Sequence, residues 1–226
     1  MPDPSTGISS STLISRGAAR FGSPAAVMAA RMVFDSFGVD ASRMRIINAR
    51  EVKCLETGNW SAYGGSIRLK CALPTAKNNA QGITSVFWQC IPTHLEDWDT
   101  SLVSFGVVSN RTSEFVNAYN GLKDAYGVST HSVGCGYKGN PQNLREWAYV
   151  KDNGMRALVA SFAKGSKIGI EYIVGESKLK FYRDDETEPK YTMKLPTDIA
   201  GIAHWYPYVS LGDKGDVCQI GSVRIE

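Results

Sequence analysis

KIGIEYIVGESKLKFYR, residues 167–183, alternates twice and reverses once. Ile168, Ile170, Tyr172 and Val174 fall on one side of an extended chain, and Lys167, Gly169 and Glu171 on the other, because strand side chains repeat with a period of two. Gly175-Glu176-Ser177 supplies a tight turn, after which Leu179 and Phe181 return to the apolar side and Lys178 and Lys180 face out. The stretch predicts a hairpin with one buried face.

The same period runs outward from it. After the charged loop DDETEPK, the segment YTMKL alternates Tyr191, Met193 and Leu195 against Thr192 and Lys194, and Pro196 ends the run. Upstream, SVFWQCI (85–91) and SLVSFGVV (101–108) are dense in β-branched and aromatic residues and short enough for core strands. Downstream, WYPYVSLGDKGDVCQI (205–220) enters a strand at Pro207, sorts Tyr208 and Ser210 from Val209 and Leu211, and turns at Gly212–Asp216 so that a last strand, 217–225, is expected to lie beside it. Short strands with glycine and proline turns and a single convincing helix predict an all-β chain, an antiparallel two-sheet sandwich.

The first part of the chain is different. Residues 1–24 are rich in Ser, Gly, Ala and Pro, a composition that predicts a flexible arm. Ser23 then Pro24 form an N-cap and first-turn pair, and Ala25, Met28, Ala29, Met32 and Val33 share one face, so a helix is expected from residue 25 to about 37, stopped by Gly38. That face lies on the domain or docks a partner. The expected organisation is an arm (1–24), a helix and connector (25–45), and a sandwich domain (46–226).

The order SVFWQCI, SLVSFGVVS, HSVGCGYKGN, the 167–183 hairpin and WYPYVSL resembles the SPRY domain family. Gly165-Ser166-Lys167-Ile168-Gly169-Ile170, Leu179-Lys180-Phe181-Tyr182 and Trp205-Tyr206-Pro207-Tyr208-Val209-Ser210-Leu211 match its most recognisable stretches. The match covers roughly residues 82–223, continues more weakly to about 46, and departs at Gln89, where the family carries an acid. The resemblance implies a concanavalin-like sandwich, without known catalysis, that binds protein or peptide partners through loops at one end.

Loop arginines and aromatics are the residue types that dominate contact energy. Asn110 and Arg111 after the Phe105 strand, Tyr137 and Lys138 after HSVGCG, and Trp147 and Tyr149 beyond Arg145 are the expected partner-binding residues. No cofactor, metal or catalytic residue is expected. GCGYKG (134–139) fits a dinucleotide-loop pattern but lacks its βαβ surroundings, so it reads as turn glycines. The acids Glu96, Asp97 and Asp99, and Asp184, Glu186 and Glu188, are the candidates for an alternative reading as a carbohydrate-binding or glycoside-hydrolysing protein. A structural subunit of a larger assembly is a third reading. His131 near Cys135, and calcium at Asp213 and Asp216, are weaker still.

A net charge of +3 with interspersed signs points to neither nucleic acid nor an anionic membrane. Five cysteines without a paired spacing read as buried thiols in a reducing compartment. The expected location is cytoplasmic, or an organelle if the acid-poor, Arg-bearing residues 1–34 form a transit segment.

Overall fold

A computed structural model describes residues 22–57, 64–95, 103–111, 125–129, 167–197 and 201–226. The described chain holds one helix, α1 (Pro24–Ala30), and twelve strands. The strands are β1 (Met44–Asn48), β2 (Glu51–Cys54), β3 (Gly65–Arg68), β4 (Leu73–Pro74), β5 (Ser85–His94), β6 (Val103–Ser109), β7 (Ala125–Ser129), β8 (Ile168–Ile173), β9 (Lys178–Arg183), β10 (Tyr191–Lys194), β11 (His204–Leu211) and β12 (Val217–Ile225).

They form two antiparallel sheets. One is seven-stranded in the order β1-β2-β12-β5-β8-β9-β10; the other runs β3-β11-β6-β7, with β4 also on β11. The hairpin anticipated over 167–183 is β8 and β9, with Ile170 opposite Phe181 and Tyr172 opposite Leu179, all four buried. Ser177 closes its turn at φ 50. The outer strand β10 extends it, pairing Tyr191 with Phe181 and Met193 with Leu179.

Between the sheets lies one apolar core. Val86, Trp88, Ile170, Tyr172, Leu179 and Phe181 come from the larger sheet, and Ile67, Val103, Phe105, Val107, Trp205, Val209 and Leu211 from the smaller. Since directly opposed residues of an antiparallel pair share a face, Phe105 opposite Val209 and Val103 opposite Leu211 define the inward side of the smaller sheet. The same register sends Tyr208, Ser210, Ser104 and Gly106 outward, beside Ser66. That outward side is buried too, and its polar groups satisfy one another: the Ser66 and Ser210 hydroxyls meet at 2.7 Å, those of Ser104 and Tyr208 at 2.6 Å.

The quoted 205–220 segment is the join between the layers: β12 does not lie beside β11 as expected but crosses to the larger sheet, where it pairs with β2 and β5. Asp216 is buried, its carboxylate accepting from the Asp213 N–H at 2.9 Å, Gly215 takes φ +108, and the turn is pinned by Cys54 N–H to Asp216 O and Gly215 N–H to Cys54 O. These aspartates hold a turn. Among the described residues no three His, Cys, Asp or Glu gather as a metal site requires.

The helix is shorter than its apolar spacing suggested. Ser23 caps it by accepting from the Ala26 N–H, but it ends at Ala30 instead of running to 37. Beyond it the backbone is claimed by strands: Lys70 N–H bonds Val33 O, Phe34 N–H bonds Ala49 O, and Asp35 N–H bonds Arg68 O. Met28, Met32 and Phe34 are buried in the domain's own core, so the apolar face expected to meet the domain or a partner meets the domain. No helix among the described residues is long and apolar enough to cross a membrane.

Candidate functional site

The sandwich has two rims. One holds the Gly212–Asp216 turn; the other is where β6 ends, β4 ends and β11 begins. His204 sits at the centre of the second rim, opposite Pro74 on one side and receiving the Asn110 N–H at 3.0 Å on the other. Asn110 acts as a clamp there. Its side-chain oxygen accepts from the N–H groups of Ala203 (2.8 Å) and His204 (3.2 Å), and its amide donates to Gly201 O at 3.1 Å. Arg111 follows on the exposed edge, its backbone N–H tied to the Ser109 hydroxyl at 3.1 Å.

Beside His204 a cleft of about 320 Å³ opens. Pro24, Val27, Met28 and Arg31 of the α1 segment form one wall, and Cys71, Ala72 and Pro74 the floor. The other wall is Asn78 to Gln81, and His204 closes the end. That second wall is built by Asn79, whose side chain bonds Ile83 twice, donating at 2.7 Å and accepting at 2.9 Å, across Gly82 at φ +66. A left-handed residue is what glycine supplies at no steric cost. Asn78 reaches over to Ala203 O at 3.4 Å and so links the cleft to the Asn110 clamp. The floor thiol of Cys71 is driven up to about 12 by burial, opposed by the positive charge of Arg31 nearby. It stays a neutral thiol at physiological pH.

A second feature lies on the outer face of the seven-stranded sheet. Gly169 leaves room for the Phe87 ring, which would sit 3.0 Å from any Cβ there; Tyr182 meets Phe87 edge-on at 6.2 Å and the Arg224 guanidinium stacks on it at 4.4 Å. The Tyr182 hydroxyl donates to Glu171 at 2.5 Å, and Gln89 and Lys167 donate to Asp185 at 3.4 and 2.8 Å. Lys167 holds the Asp185 carboxyl below the usual carboxylate range, the opposite of what a glycosidase general acid needs. The three acids Asp184, Glu186 and Glu188 do not form a strand face: they occupy the β9–β10 connector, with Asp184 at φ 53, Lys167 N–H on its carboxylate and Lys190 on Glu186.

Of the residues the sequence singled out, Asn110 is brought to His204 and Gly201 and Arg111 lies near Gly201, and neither is among the described lining of the cleft. Tyr137, Lys138, Trp147 and Tyr149 lie outside the described residues, as do Glu96, Asp97, Asp99, His131 and Cys135. Sequence reasoning missed Arg31, Asn78 and Gln81, because the cleft joins segments far apart in the chain.

No family model and no curated protein matches the chain. Solved structures that resemble it include the SPRY domain of human HERC1, with TM-score 0.48 and 14% identity, covering 81% of this chain and 96% of that one. The TRIM65 PSpry domain gives 0.44 and 11%, covering 85% and 92%. The potassium-bound Emp46p carbohydrate recognition domain gives 0.46 and 11%, covering 84% and 87%. The two-layer assignment stands on the strand pairings themselves.

Proposed function

We propose that this chain is a non-enzymatic module that holds a protein or peptide partner on one rim of a rigid sandwich, in a reducing, intracellular setting. The observation that carries the reading is the cleft at His204: a concave, mixed apolar and amide-lined surface whose walls are fixed by the Asn79 and Asn110 clamps. Its volume is at the small end of the about 300–1,000 Å³ of ligand clefts, room for one or two side chains of a longer partner. Asn110, which bonds His204, and Arg111 beside it are proposed as further contacts. Tyr137, Lys138, Trp147 and Tyr149 are proposed contacts on their residue type alone. Four cysteines, Cys54, Cys71, Cys90 and Cys218, are buried free thiols, which favours a reducing compartment.

The carbohydrate alternative would use the outer sheet face, where the Phe87, Tyr182 and Arg224 stack offers an aromatic platform. The described lining of the cleft holds no Phe, Tyr or Trp and no carboxylate, which favours the peptide reading there.

Panning a random peptide phage library on the immobilised chain tests it. Enriched clones should lose binding to His204→Ala and Asn78→Ala but keep it to Lys214→Glu at the opposite rim. Failure to enrich any clone, or clones sensitive only to Phe87→Ala, would overturn the proposal.

A further inference from the structure

Among its described lining residues the cleft holds one arginine, Arg31, and no Lys, Asp or Glu, and no described carboxylate pairs with Arg31. The neighbouring basic residues differ: Arg43 is bridged to Asp40 and Glu56, and Arg68 to Asp35. Arg31 is fixed where it stands by its backbone N–H, which bonds Met28 O at 3.0 Å as the helix cap. Arg31 and Cys71 both line the cleft. Arginine in this setting presents a planar fork of donors suited to a carboxylate.

The remaining lining sorts by chemistry. Gln81 has no hydrogen-bond partner among the described residues, and the Asn78 amide makes a single 3.4 Å bond, so both retain capacity for a peptide backbone. Pro24, Val27 and Pro74 provide apolar wall, with Val27 46% exposed. Exposed Lys77 adjoins Asn78 and adds to the positive field. A basic ligand would meet an arginine that no described carboxylate neutralises, a repulsive element that selects against it.

We infer that the cleft reads an acidic side chain flanked by an apolar one in an extended peptide of a protein partner, and that Arg31 is the residue that recognises the acid. This inference rests on the peptide-binding reading above and adds the partner's chemistry to it.

The test uses two fluorescein-labelled synthetic peptide pools of equal length, one with a fixed central Glu, the other with Lys, each flanked by Leu and otherwise randomised. Fluorescence anisotropy with the full chain should show the Glu pool binding about tenfold or more tightly than the Lys pool, as a charge-assisted contact commands. Added salt should narrow the gap. Arg31→Glu should remove or invert the preference, and Arg31→Gln, which keeps the polar stem without the charge, should level the pools. Circular dichroism reports whether each variant remains folded. Equal binding of both pools, or a Glu preference that survives Arg31→Glu, overturns the acidic inference while peptide binding stands. If neither pool binds and phage panning also returns nothing, both readings fall together.

Discussion

Ser66 on β3 and Ser210 on β11 are 144 residues apart in sequence, directly opposed in register and fully buried, and among the described residues their hydroxyls bond each other at 2.7 Å. Replacing either one alone removes the hydrogen bond and leaves the other hydroxyl dry, which costs about 1–3 kcal/mol. Replacing both removes the two desolvated groups together, so Ser66→Ala with Ser210→Ala should sit within about 1 kcal/mol of the parent. The singles sum to about 2–6 kcal/mol against about 1 or less for the double, so the coupling between the two sites is at least about 1 kcal/mol, the signature of residues in contact. For a domain of this size each kcal/mol moves Tm by about 2–4 °C. Each single variant should therefore melt about 2–12 °C lower, while the double variant recovers most of the loss. Guanidinium titration followed by circular dichroism gives the four free energies. Simple additivity, with the double variant losing the sum of the singles, would refute the pairing and with it the register of β3 on β11.

Other expectations follow from close approach and burial. Gly106 and Gly127 oppose one another on β6 and β7, and a Cβ at Gly106 would lie 2.0 Å from Tyr126 O, so Gly106→Ala should cost at least about 1–3 kcal/mol in the same titration. Asn110→Ala strips the clamp from Gly201–His204 and should speed hydrogen exchange at the Ala203 and His204 amides; Asn110→Asp, which keeps the accepting oxygen, should preserve most of their protection. Burial raises the Cys54 and Cys71 thiols from 9.0 to about 12, and Tyr172 from 10.0 to about 12. Their neutral forms are held in the folded chain while the unfolded chain ionises. Stability should be unaffected by these groups below pH 9 and fall as pH rises from 9 towards 12. Iodoacetamide at pH 8 should leave Cys54, Cys71 and Cys90 unmodified in the native protein; rapid labelling there would contradict the burial.

The strand alternation made most of the sandwich legible. Ile168, Ile170, Tyr172, Leu179 and Phe181 point inward as their spacing required, and the last strand spans Val217–Ile225. The faces of β11 also sorted correctly, but both are buried, because the Tyr208 and Ser210 side meets the hydroxyls of Ser104 and Ser66. Period two says which residues share a face and not what lies against it. The helix was over-extended for a related reason: Met28 and Met32 are core residues as their spacing implied, yet the backbone at 33–35 gains more from pairing with Lys70, Arg68 and Ala49 than from another helical turn. Asn110 was found by residue type as a contact candidate, and its bonds to Gly201, Ala203 and His204 are invisible in a sequence because those partners lie more than ninety residues on. The cleft was hidden most completely. Arg31, Gln81 and His204 carry no local motif, and only the β4–β11 pairing brings Pro74 beside His204.

Backbone amide shift mapping with a phage-selected peptide tests the assignment of binding to this rim most directly. Perturbations centred on Val27–Arg31, Asn78–Gln81, Ala203, His204 and Asn110 are the predicted result. Perturbations centred instead on Phe87, Glu171 and Tyr182 would contradict it and move recognition to the open face of the larger sheet.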